Sequence, residues 1–252
     1  MKSSGIVLAV VLLAGCVHHA ELHSAQSLEQ RLASADRTPE DRALDPGRKP
    51  VELLSFIGVT DGMRVAELMA AGGYTSELLA IAVGPTGVVY GVNPRAVLER
   101  FAERPWSERL KRVAVQRLDR ELDAPFPQAL WGSLDVVISN VVYHDTVWLE
   151  VDRAKMNQAV LDALKPAGTY VVCDSSARPG DGVSQVQALH RIEERVVREE
   201  ILRAGFRLEA VGEFLRNPAD NRDWNASPSA AGERRGSSDR FCLRFTKPVP
   251  LH

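Results

Sequence analysis

The stretch Val65-Ala66-Glu67-Leu68-Met69-Ala70-Ala71-Gly72-Gly73-Tyr74 decides the fold. It begins inside a short apolar strand, Arg64 to Leu68, which carries a carboxylate at Glu67. Small residues follow, and then an amphipathic run from Thr75 to Val83. Strand, tight turn and helix in that order present backbone N–H groups and a helix N-terminus to a ligand. The chain has no Gly-x-Gly-x-x-Gly here, which argues against a dinucleotide fold.

Outward from this turn, strands and helices alternate. Pro50 to Phe56 reads as a short helix, and Gly84-Pro85 ends the helix after the turn. Gly87 to Val92 is a second strand, followed by a helix from Arg95 to Phe101 and a third strand from Arg112 to Leu118. Leu134 to Ser139 is a continuous apolar run, as a central strand requires. Glu150 to Leu164 has helical spacing, Thr169 to Cys173 is the fifth strand, and Val186 to Ala204 reads as one long charged helix. Phe206 to Val211 and Arg240 to Phe245 close the chain as two strands joined by a polar loop. The alternation predicts a parallel sheet covered on both faces; the ending predicts an antiparallel pair.

The turn resembles motif I of class I S-adenosylmethionine-dependent methyltransferases, acidic-x-Gly-x-Gly-x-Gly at the end of the first strand. Its glycine places fall on Met69, Ala71 and Gly73, so one of three is kept, with Gly72 added. Leu118-Asp119-Arg120-Glu121-Leu122 with Pro125-Phe126-Pro127 resembles the family's acidic loop after the third strand. Ala163 to Gly168 resembles its Leu-Lys-Pro-Gly-Gly turn. Tyr143-His144-Asp145, Leu189-His190-Arg191-Ile192 and Arg216-Asn217-Pro218-Ala219-Asp220 resemble a bacterial subgroup of predicted methyltransferases. The likeness runs from Pro50 to Lys247.

What the resemblance implies is an α/β, Rossmann-like class I methyltransferase sheet of seven strands. That sheet is mostly parallel, with an antiparallel last strand and helices on both faces. The implied cofactor is S-adenosyl-L-methionine, held by Glu67, Gly72, Gly73, Tyr74, Asn93, Asp119 and Asn140. Asn93 stands where the family places a carboxylate for the ribose, and Asp119 where it places an acid near the adenine; a solvated loop acid is the other reading of Asp119. His144 is the candidate base, its unperturbed pKa lying near neutral, and a helix-capping role is its alternative. Tyr143, Asp145, Asp174 and His190 are candidates for the acceptor side, with Ser175 and Ser176 beside them. His190 falls on the long charged helix, where solvent exposure is the default.

The N-terminus reads differently. Lys2 precedes an apolar run, Gly5 to Ala14, too short to span a bilayer and suited to a signal-peptide core. It closes on Leu13-Ala14-Gly15-Cys16, which resembles the lipobox of bacterial lipoproteins and implies lipidation at Cys16. Val17, rather than an aspartate, follows the cysteine, so the implied location is the outer membrane, facing the periplasm. The expected organisation is a signal peptide over 1–15, a lipid-anchored tether over 16–46 and a class I methyltransferase-like domain over 47–252. His18, His19 and His23 lack supporting carboxylates or cysteines and read as tether, so no metal set is predicted.

The 252 residues are 45% hydrophobic and 25% charged with a net charge of -2, an ordinary globular composition without the basic footprint of nucleic-acid binding. Beyond Cys16 only Cys173 and Cys242 remain. The resembled fold brings them together on adjacent strands, and two buried thiols are expected rather than a bond. The leading expectation is methyl transfer from S-adenosylmethionine to a small or envelope-associated acceptor. The alternative is a non-catalytic ligand-binding envelope lipoprotein that keeps the methyltransferase fold. A hydride-transferring enzyme ranks third.

Overall fold

In the computed structural model the described residues are 28–249, so the signal segment, the lipobox with Cys16, and His18, His19 and His23 lie outside them. The chain divides after Asp36: helix α1 (28–34) precedes the division, and Arg37 onward forms one body. Among the described residues no helix is long and apolar enough to cross a membrane.

The body is a seven-stranded sheet: β1 (Arg64–Leu68), β2 (Val88–Asn93), β3 (Gln116–Asp119), β4 (Leu134–Asn140), β5 (Leu164–Ser175), β6 (Arg207–Gly212) and β7 (Arg240–Thr246). Their order is β3-β2-β1-β4-β5-β7-β6. Five strands are parallel, and β7 lies antiparallel between β5 and β6. This is the class I methyltransferase arrangement. The central strands carry apolar residues on both faces, with Val65, Ala66, Val137, Ile138, Val171 and Val172 fully buried.

The helices are α2 (Pro39–Arg42), α3 (Asp45–Arg48), α4 (Pro50–Ile57), α5 (Tyr74–Val83), α6 (Arg95–Val97), α7 (Glu103–Leu110), α8 (Asp145–Trp148), α9 (Arg153–Ala163) and α10 (Glu194–Arg203). A π turn, Leu98–Ala102, joins α6 to α7, so the helix expected to stop at Phe101 runs on to Leu110. Pro105 lacks the N–H that a regular turn would use, and a wider turn just upstream is a recognised way to absorb that. A turn then follows in which the Arg112 and Val113 N–H groups bond back to Arg109 O, so β3 starts later than expected.

Three further expectations are corrected. Residues 37–46 are not a loose tether: Arg37 pairs with Asp45 at 2.7 Å, Asp41 with Arg109 at 2.7 Å, and the Tyr74 hydroxyl donates to Asp45 at 2.6 Å. The long helix from Val186 does not form, and α10 begins only at Glu194. Upstream, Ile192 instead bridges Ser176 beside the end of β5, and the Arg191 guanidinium is fully buried on Asp220, Ser176 O and Trp224 O. Apolar residues at helical spacing there mimic a helix whose register this buried cation overrides. Finally, Cys173 and Cys242 are directly opposed in the β5–β7 ladder, with Cα atoms 4.1 Å apart, and they form a disulfide. Direct opposition brings the sulfurs within bonding reach, where a diagonal placement would not.

Candidate active site

The turn after β1 is left-handed at all three motif glycine places: Met69 has φ 50°, Ala71 φ 48° and Gly73 φ 78°. Side chains in that region cost about 1 kcal/mol or more each, so Met69 and Ala71 hold a backbone that glycine would adopt without that cost. Gly73 is also the N-cap of α5. An added Cβ there would stand 2.4 Å from the Trp106 ring, so Gly73 is required by packing as well as by φ.

Glu67 is buried at the end of β1 and accepts a hydrogen bond from the Ser76 hydroxyl on the first turn of α5. Burial pushes its pKa up to about 7, against the hydroxyls of Ser76 and Thr75 and the charge of Arg48, which pull it down. Arg48, at the end of α3, stacks on the Tyr74 ring at 4.2 Å. Among the described residues its guanidinium has no hydrogen-bond or ion-pair partner, and burial lowers its pKa. Asn140 ends β4 next to β1; its Nδ2 donates to Thr75 Oγ1 at 3.1 Å while its Oδ1 is buried without a partner among the described residues.

Other predicted cofactor residues are committed elsewhere. Asn93 is fully buried, and it accepts from Ala71 N at 2.7 Å and donates to Ala71 O at 3.2 Å. It braces the turn through both of these bonds. Asp119 is exposed and paired with Arg117 at 2.7 Å. The Tyr74 ring lies under Arg48 with its hydroxyl on Asp45.

The acceptor-side candidates gather beyond β4 and β5, with one exception. Tyr143 is fully buried, donates to Glu200 at 2.8 Å and accepts from Asn157 at 2.9 Å, so it belongs to the core beneath α9 and α10. Asp174, wholly buried, accepts from His144 N through Oδ2 at 2.8 Å and contacts His144 Nδ1 through Oδ1 at 2.8 Å. His144 Nε2 lies 3.1 Å from Asp145 Oδ1 and 3.2 Å from His190 Nδ1. Burial alone would lower the His144 pKa, but Asp174 and Asp145 more than reverse this and push it up to about 10. Burial, with the charge of His144, lowers that of His190, whose side chain is 29% exposed.

The chain reaches this cluster through unfavourable backbone. Val141, between β4 and His144, has φ 60°, and His190 has φ 51°. A β-branched residue in the left-handed region is a true outlier, and such outliers concentrate at functional sites. Sequence reading placed His190 on a solvated helix face, whereas the structure brings it against His144. It missed Arg48 altogether; a basic residue just before Lys49-Pro50 carried no motif signal.

No family profile matches the chain. Among solved structures, it is similar to an S-adenosylmethionine-dependent methyltransferase from Aquifex aeolicus, with a TM-score of 0.57 at 19% identity, over 82% of this chain and 96% of that one. A second, from Mesorhizobium loti, has a TM-score of 0.54 at 17% identity, over 81% and 99%. The cyclase SpnF is similar too, with a TM-score of 0.55 at 17% identity, over 81% of each chain. At such identities the likeness shows the fold.

Proposed function

We propose that this chain transfers a methyl group from S-adenosylmethionine to a small or envelope-associated acceptor. The observation that carries this reading is the turn after β1, left-handed at each of the three motif glycine places and set beside a buried acid. The donors and acceptors around it fit the amino-acid end of that cofactor. Glu67 and the orphaned Asn140 Oδ1 would take its ammonium, and the unpaired Arg48 its carboxylate. When bound, the cofactor supplies an electrophilic methyl on a sulfonium centre. Gly72 and Gly73 would let the backbone approach it, and Asn93 holds the turn in shape.

The acceptor would be received at the mouth beyond β4 and β5, one to two strands from the turn, or roughly 5–10 Å at ordinary strand spacing. His144 has both ring nitrogens engaged, so it does not supply the free base expected of it. The partly exposed His190 marks the open side of the cluster.

The envelope location and lipid anchor rest on the lipobox, and the Cys173–Cys242 bond supports export, because such bonds persist in oxidising compartments. A second reading has one specific observation behind it. Met69 is buried in the turn where the family keeps glycine, and the same fold carries the cyclase SpnF, so a ligand-binding protein without methyl transfer is the competitor. Calorimetric titration with S-adenosylmethionine and its demethylated product tests the first reading. Binding of both is expected, with Arg48→Ala and Glu67→Ala each weakening it by about 1.5–3 kcal/mol. No heat with either compound at millimolar concentration would overturn the proposal and leave the fold alone.

A further inference from the structure

The three atoms that meet beyond β4 can each offer a lone pair to a cation, His144 Nε2 once it has given up its proton: His144 Nε2, His190 Nδ1 and a carboxylate oxygen of Asp145. Their separations are 3.1, 3.2 and 3.8 Å. One point lies about 2 Å from all three, and the mean edge is close to the roughly 3.3 Å that separates tetrahedral ligands at ordinary zinc–nitrogen lengths. A single proton on His144 Nε2 can bridge to only one neighbour at a time, whereas a cation in its place would meet His144, Asp145 and His190 together.

We infer that His144, Asp145 and His190 bind one divalent transition-metal ion. Two imidazoles and one carboxylate favour zinc, cobalt or ferrous iron over magnesium or calcium, which take oxygen donors. The surrounding groups support the assignment. Asp174, fully buried, holds His144 through both Nδ1 and the backbone N–H, which fixes the ring and leaves Nε2 directed at the cluster. A carboxylate behind a ligating histidine is the usual outer-sphere partner. The Trp148 indole donates to Asp145 Oδ1 at 2.8 Å and orients that carboxylate in the same way. The two imidazole planes stand at 77°, so the rings do not stack and their facing nitrogens share the centre.

The strained backbone now has a reason. Left-handed Val141 and left-handed His190 turn their loops so that residues 46 positions apart share one point. With three protein ligands, and the partly exposed His190 on one side, the ion keeps an open position for water or for an acceptor oxygen. That last use rests on the methyl-transfer reading, while the ion site itself stands on its donor set.

The test uses the untagged protein stripped with a chelator and titrated with zinc chloride by calorimetry, and separately with cobalt chloride by visible absorbance. No S-adenosylmethionine is present, so failure here is distinct from failure to bind that cofactor. One equivalent should bind with the ligand-field bands of four-coordinate cobalt, and magnesium chloride should give no heat. His190→Ala should abolish the bands, and Asp174→Asn should weaken affinity by roughly 10–100-fold. Circular dichroism confirms that each variant is folded; if His190→Ala unfolds, Asp145→Asn gives the same reading. A variant with His18, His19 and His23 all changed to Ala should bind as the native protein does. Binding that survives His190→Ala and Asp145→Asn, or disappears with the three tether histidines, would overturn the site, as would absence of zinc binding.

Discussion

Glu67→Gln should make the ligand-free protein more stable above neutral pH. The native carboxyl sits buried at the end of β1 with its pKa raised to about 7 from 4.5, burial being the dominant cause. A carboxyl whose folded pKa lies above its unfolded value contributes stability that is complete below the unfolded pKa and is lost as pH rises through the folded one. Between those values the unfolded chain has released its proton while the folded protein still holds it, so stability falls with pH. Holding the proton from pH 4.5 up to about pH 7 is worth about 3 kcal/mol, at 1.36 kcal/mol for each pH unit.

Glutamine keeps an oxygen for the Ser76 hydroxyl and cannot ionise. The difference between variant and native protein should therefore be small at pH 5, grow through pH 6 and 7, and level off near 3 kcal/mol above pH 8. Urea unfolding of both proteins across that range, followed by circular dichroism, reads the difference directly and cancels the other titrating groups. A difference that does not change with pH would refute the reasoning, because the raised pKa would then be wrong. A variant less stable at pH 8 would also refute it, since the charge would then be favourably solvated or paired. Saturating S-adenosylmethionine should shrink the gap, its ammonium favouring the ionised carboxylate.

Two further outcomes are expected. Replacing both Cys173 and Cys242 by Ala should destabilise the protein by about 4 kcal/mol on the loop-entropy relation for a separation of 69 residues, and thermal unfolding with and without reductant should show the native protein moving toward the variant. Cys16→Ser should leave the precursor uncut and release the protein from its normal lipid anchoring, with mass spectrometry of the N-terminus as the check; normal processing of that variant would remove the lipid-anchor proposal.

The sheet was legible because its signals are local and repeated: apolar runs, glycine-proline stops, and a final strand-loop-strand without a helix. The positive φ at Met69 and Ala71 was foreseeable from the motif's spacing, even though neither residue favours it. What the sequence concealed were long-range polar pairings. Leu189, Ile192, Val196 and Ile201 repeat as a helix does, yet only the segment from Glu194 is helical, because Arg191 is buried on Asp220, 29 residues away in the chain. Once that helix was misread, His190 stood on a solvent face and the cluster with His144 could not be seen. Tyr143 was drawn into the site by its neighbours in sequence, although its hydroxyl reaches Glu200 and Asn157 in the core. Asp41 and Asp45 looked like tether because their partners Arg109 and Tyr74 are far along the chain.

Local rules are broken here in a spatial pattern. Met69 and Ala71 lie at the end of β1, Val141 at the end of β4, and His190 beside the end of β5, all in left-handed backbone. The buried acid Glu67 and the orphaned Asn140 Oδ1 lie at the same edge. Three of the remaining left-handed non-glycine residues, Lys49, Glu150 and Arg222, sit in surface connections, where such a conformation needs only a turn. A protein kept only for its fold would have little to hold these costs together along one edge of the sheet, since each is open to relief by single substitutions. Ala71→Gly would relax the turn, and a shorter path through residue 190 would free the loop before α10. A left-handed turn without glycine at two of its places, an arginine with no hydrogen-bond or ion-pair partner among the described residues and a convergent histidine pair lie beyond the same strand ends, which is the arrangement the proposed site needs. The burden is arranged where open α/β sheets bind their ligands.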